Sequence, residues 1–175
     1  MKMYDTLKHA IRLSGLAFAG LLTVAGTASA DDAADINVGV TVTNSCTISS
    51  TPLAFAGYDS TLNFSTPVNA NATLTVTCTN GFETAVTLDE GQNPDAGSAP
   101  ATPARRMTDG TNFLNYVLNQ DSQGGSVLWG DSAGTQQATT GTGAAVPLTV
   151  FGRMPAGQNP PAGIYGDVVI ATVLF

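Results

Sequence analysis

The chain has 175 residues, only 11% of them charged, with thirteen acidic against six basic side chains and a formal net charge of −7. So few cations exclude the basic patches that nucleic acid or anionic membrane surfaces require. Low charge with abundant Thr, Gly, Ala and Asn points instead to a β protein with long polar loops.

Residues 1–30 come first. Lys2, Lys8 and Arg12 precede the apolar run LSGLAFAGLLTVAG, and Ala28-Ser29-Ala30 closes it. A basic flank, a short apolar core and a small-x-small site predict a secretory signal peptide cleaved after Ala30. The run is shorter than the ~20 residues of a bilayer span. Beyond it only Arg105, Arg106 and Arg153 face twelve acids, a net charge of −9, with no lysine and no histidine. The 145 residues that remain suit one domain with a sizeable core.

Asp31 to Ser49 carries Ile36, Val38, Val40 and Val42 at every second position. A strand repeats its side chains every two residues, so these four share one face that something apolar must cover. Either the chain's own strands cover it or another molecule does. Cys46 and Cys78 follow, each in a strand-like run of an exported domain, and an even pair there predicts a disulfide between an early strand and the next core strand. Pro52–Pro67 reads as a loop with a short edge strand. ATLTVTCTN and FETAVTLDEG read as strands, and GQNPDAGSAPATPA breaks the pattern. RRMTDGTNFLNYVLNQD predicts two strands about a turn at Asp109-Gly110. A polar loop from Gly124 to Gly143 surrounds Trp129, and AAVPLTVFGRMP is a further strand. Short strands between turn signals, without a convincing helix, predict an antiparallel β-sandwich.

At the end of the chain Tyr165, Asp167, Val169, Ala171, Val173 and Phe175 share one parity, while Val168, Ile170 and Leu174 make the other face apolar too. Such a strand is expected inside a sheet between two covering layers. A seven-stranded immunoglobulin-like sandwich needs one more strand beside it, and nothing after Phe175 supplies it. The unexplained Ile36–Val42 stretch is the complementary surplus.

RRMTDG, FLNYVLNQD, LWGD and VPLTVFGRMPAGQNPPAGIYGDVVIATVLF, together with Cys46, resemble the spore coat protein U domain, the subunit family of archaic (Csu-type) chaperone-usher pili. The likeness covers nearly all of the chain after residue 30. Its most specific part is Gly152-Arg153 followed by Gly163-x-Tyr165-x-Asp167 and an alternating strand ending on an aromatic residue. The resemblance implies an incomplete immunoglobulin-like sandwich whose groove is filled by the N-terminal segment of a neighbouring copy. It also implies a periplasmic chaperone that holds the groove and an outer-membrane usher that exchanges one strand for the other. The physics is strand addition, with backbone hydrogen bonds and pockets for alternate side chains. The expected organisation is signal peptide 1–30, donor strand 31–39 with Ile36, Val38 and Val40 as its apolar face, and pilin domain 40–175. Residues 40–49 are assigned mainly to the home sheet. By the same resemblance the carboxylate of Phe175 is the group a chaperone's basic cleft anchors.

Without histidine or lysine after residue 30, a Ser-His-Asp triad, a histidine base and a Schiff base are all excluded. Asp89-Glu90, or Asp109 with Asp121, are the carboxylate pairs a glycosidase would use, but acids in Gly/Pro-rich turns read as solvated. No catalytic residue, cofactor or metal site is expected. Trp129 reads as core-edge packing against a sugar-stacking alternative, Arg105 and Arg106 as solvated turn charges, and Tyr165 as a corner pinned through its hydroxyl. The expected function is therefore a structural pilus subunit on the cell surface, partnered by its own copies, serving adhesion and biofilm formation. The alternative is a secreted monomeric carbohydrate-binding or adhesive module.

Overall fold

The computed structural model describes residues 32–175, so the leader read over residues 1–30 lies outside the described residues. The chain divides between Val40 and Thr41 into two units. Residues 32–45 form no regular element.

The larger unit carries eight strands: β1 (Cys46–Ser50), β2 (Val68–Cys78), β3 (Glu83–Leu88), β4 (Arg105–Thr108), β5 (Phe113–Asn119), β6 (Gln137–Thr140), β7 (Ala145–Met154) and β8 (Ala171–Leu174). They form two antiparallel sheets, one in the order β1-β2-β7-β5-β4 and the other β6-β3-β8. The alternation in β2 explains the packing. Ala72, Leu74, Val76 and Cys78 are buried on one face, and the same register sets Ala72 opposite Val150 and Leu74 opposite Leu148 of β7. Leu114, Tyr116 and Leu118 of β5 extend that layer, and Val86 and Leu88 of β3 close the core from the other sheet. Gly110, at a φ of 98°, turns the β4–β5 hairpin where an Asp-Gly pair predicts it.

β1 begins at Cys46. Residues 40–45, expected mainly in the home sheet, precede it, and Ser45 still bonds Thr79, one residue past the end of β2. Cys46 lies directly opposite Cys78, with Cα atoms 4.2 Å apart, and the two are disulfide-bonded. That spacing suits a pair between the hydrogen-bonded positions of an antiparallel ladder. β6 lies within the stretch read as a polar loop; its Gln, Ala and Thr side chains carry no apolar period.

The last strand is not inside a sheet. β8 pairs only with β3 and is an edge strand. Val168, Ile170 and Leu174 are exposed, while Tyr165, Asp167, Val169, Ala171 and Val173 are half-buried against the core. One apolar face meets the core and the other meets solvent, so the expected second covering layer is missing. The ladder occupies Ala171–Leu174 only, with Phe175 just beyond it and exposed.

Candidate functional site

Two strand edges stand open on the same side of the sandwich. In β1, Thr51 N donates to Thr73 O and Thr79 N donates to Ser45 O. The odd-numbered residues therefore bond β2, and the backbone groups of Cys46, Ile48 and Ser50 point outward. In β8, Ile170 O accepts from Asp89 N at 3.0 Å. By the same period of two, the backbone groups of Ala171 and Val173 face away from β3. Between these edges runs a groove of about 480 Å³. Ile48 to Leu53 with Phe55 form one wall and Tyr165 to Val169 with Ala171 the other, and the core residues Ala72, Leu74, Leu88, Leu118 and Val150 line its floor. A second depression of about 800 Å³ continues it past Leu53, Phe55, Met107 and Tyr165 toward Pro160 and Pro161. The segment after β1 reaches this position because Gly152 has no side chain: a Cβ there would lie 2.8 Å from Leu53 Cδ1 and 3.0 Å from Phe55.

The β8 wall is held by polar bonds. Asp167 accepts from the Tyr116 hydroxyl at 2.6 Å, from Gln92 N at 3.0 Å and from Asn93 Nδ2 at 3.2 Å. Burial first, and then the bond to Asp167, push the Tyr116 phenol far above its ordinary value. Asp89 Oδ1 accepts from Ile170 N at 2.9 Å, and the Thr84 hydroxyl donates to Leu174 O at 2.6 Å. Arg105 supports the partner strand from behind and is not a solvated turn charge. Its side chain is 1% exposed, with Nε donating to Asp89 O and Nη2 donating to Leu88 O and Trp129 O at 2.7–3.0 Å. Burial lowers its pKa. Three backbone carbonyls thus accept from Nε and Nη2 of the buried guanidinium, while Nη1 is buried without a hydrogen-bond partner. Arg106 is half-buried, donating to Asn93 O and Pro94 O, paired with Asp95 at 3.0 Å and stacked 4.0 Å from the Phe113 ring centre.

The remaining singled-out residues resolve as structural. Trp129 is fully buried and donates Nε1–H to Val86 O at 2.8 Å, so it offers no face to a sugar. Tyr165 donates its hydroxyl to Pro161 O at 2.9 Å, across a corner. Asp109 accepts from Asn112 N and Thr111 N within its own turn, and the Asn112 bonds above all hold its pKa down to about 2. Asp121 likewise accepts from Ser126 N. No group of acidic, cysteine or histidine side chains among the described residues is placed to hold a metal ion.

Of the alternating residues ahead of β1, Ile36, Val38 and Val40 lie in the smaller unit and Val42 at the start of the larger one. Ile36, Val38, Val40 and Val42 are each between 76% and 92% exposed, the full alternating face uncovered. Sequence reasoning singled out the C-terminal wall but not Ile48, Leu53 or Phe55 on the opposite one. Their signal, a loose apolar spacing broken by Pro52, resembles any loop.

These features define an incomplete immunoglobulin-like β-sandwich with an open strand groove. Within that class the chain belongs to the Spore Coat Protein U domain family, whose model matches residues 32–172. Protein U of Myxococcus xanthus is 37% identical over 173 residues, covering 91% of this chain and 93% of that protein. A chain in the crystal structure of the CsuC-CsuE chaperone-tip adhesion subunit pre-assembly complex, from archaic chaperone-usher Csu pili of Acinetobacter baumannii, superposes with a TM-score of 0.55 at 21% identity. The match covers 77% of this chain and 40% of that one, and at this identity the likeness is one of fold.

Proposed function

We propose that the protein is a structural subunit of a surface pilus, exported through the periplasm and polymerised by strand donation between copies. The observation that carries this reading is the pair of open edges, β1 and β8, flanking an apolar floor. The exposed alternating residues Ile36, Val38, Val40 and Val42 are the matching ligand. Backbone groups of the incoming segment pair with both edges while every second side chain enters the groove. Burying four aliphatic side chains contributes about 6 to 12 kcal/mol as an upper estimate. A groove this apolar needs a holder before assembly, which a periplasmic chaperone supplies, and an outer-membrane usher then exchanges the holder's strand for the neighbour's. The fold shared with a chain of a chaperone-subunit complex supports this route. Attachment and biofilm formation follow from display of the fibre.

Parity gives the test. Val38→Asp puts a charge into the groove and abolishes polymer formation, whereas Thr41→Asp, on the opposite parity, leaves it intact. Electrophoresis of surface material from each variant reads the outcome. Equal polymer from both, or from neither, overturns the assignment of this face as donor.

A further inference from the structure

Strand donation leaves the two ends of the domain without a role. One end carries Cys46–Cys78, the 79–82 turn and the 141–145 loop; the other carries Val68, Met154 and the loops 58–66 and 155–165. β2 spans the distance, about 35 Å for its eleven residues. At the second end Leu62, Phe64 and Ile164 are 75% to 93% exposed. The loops that carry them are bonded in place. Gln158 N donates to the Tyr58 hydroxyl at 2.9 Å, Gly157 N to Asn63 O at 3.1 Å, and the Tyr165 hydroxyl to Pro161 O. These three apolar side chains, held outward on tied loops, bury little within their own domain. Asp59, Ser60 and Ile164 also line the depression that continues the groove, so this surface is continuous with the proposed donor site.

Chain length selects the occupant. Only Thr43, Asn44 and Ser45 separate Val42 from Cys46, a reach of at most about 14 Å. Cys46 is fixed to Cys78. Wherever Val42 leaves the acceptor's groove, the Cys46–Cys78 end of the donating copy must follow within that reach. β8 runs from the Tyr165 end toward the Phe82 and Phe175 end. A donor antiparallel to β8 therefore emerges beside Leu62, Phe64 and Ile164; a parallel donor emerges at the opposite end and leaves them bare. The arriving end is apolar as well, with Phe82 and the exposed Phe175 packed edge to face at 6.3 Å.

We propose that Leu62, Phe64 and Ile164 form a head-to-tail docking surface for the Cys46–Cys78 end of the next copy of this chain. The inference rests on the strand-donation reading. It is tested in assembled fibres of full-length chain carrying Ile164→Cys and Asn80→Cys, treated with a short bismaleimide and then boiled in SDS. Phe64→Cys with Asn80→Cys serves as a second pair. The two positions sit at opposite ends of one domain, so cross-links between them join different copies. Covalent multimers that survive boiling in a paired variant, and not with Asn80→Cys alone, are the expected result. An unboiled ladder without covalent multimers from either pair, or multimers from Asn80→Cys alone, overturns the surface. Loss of the unboiled ladder in the unsubstituted chain overturns the strand-donation reading beneath it.

Discussion

Two segments of this chain carry the same pattern and meet different fates. Ile36, Val38, Val40 and Val42 alternate as cleanly as Val169, Ala171 and Val173, yet the first set is exposed and the second is half-buried against the core. What separates them is support from the home domain. β8 is bonded to β3 along four residue pairs, and its flanking segment is tied by Asp89 and Asp167. The Ile36–Val42 segment has no ladder of its own. A period of two thus specifies a face, and the bonds around it decide whether the home domain covers that face.

That contrast is open to attack from the folded side. The largest expected effect comes from Arg105→Ala, which removes the donors of three buried carbonyls behind β3 and leaves a cavity. It destabilises the domain by about 3–5 kcal/mol, read as a shift of the urea midpoint, whereas Val38→Asp leaves that midpoint unchanged. Equal shifts from both would erase the distinction between the segments. Next, Cys46→Ser with Cys78→Ser frees the β1 wall of the groove and costs about 3–4 kcal/mol by the chain-entropy estimate. Tyr116→Phe has a smaller effect, about 1.5–3 kcal/mol, through loss of the bond to Asp167.

The Tyr116 variant also has a pH signature. The folded chain favours the neutral phenol, so its contribution is complete below the ordinary tyrosine value of about 10 and falls as pH rises above it. Unfolding titrations between neutral and strongly alkaline pH should show a decline attributable to this group that Tyr116→Phe lacks. An unchanged alkaline profile would remove Tyr116 and Asp167 as the anchor of the β8 wall.

The sandwich was legible wherever alternation was apolar, as in β2, β7 and the inward parity of the C-terminal stretch. The cross-strand Cys46–Cys78 pair was legible too, from the even count, the exported setting and the strand-like run around each cysteine. β6 was hidden because Gln137–Thr140 carries no hydrophobic period. The burial of Arg105 was hidden because its partners are main-chain carbonyls, which leave no mark in side-chain sequence. The edge position of β8 was misread for a related reason. An exposed apolar face and one covered by a second layer are written with the same residues, Val168, Ile170 and Leu174, and only the sheet order tells them apart.

The most direct test of strand donation is electrophoresis of sheared surface material in SDS, with unheated and boiled samples side by side. The account predicts an unheated ladder at multiples of about 15 kDa, the 17.8 kDa chain less its leader, collapsing to one band on boiling. Monomer alone in both lanes, from material that contains the surface-assembled protein, would contradict it and return the groove to an intramolecular role.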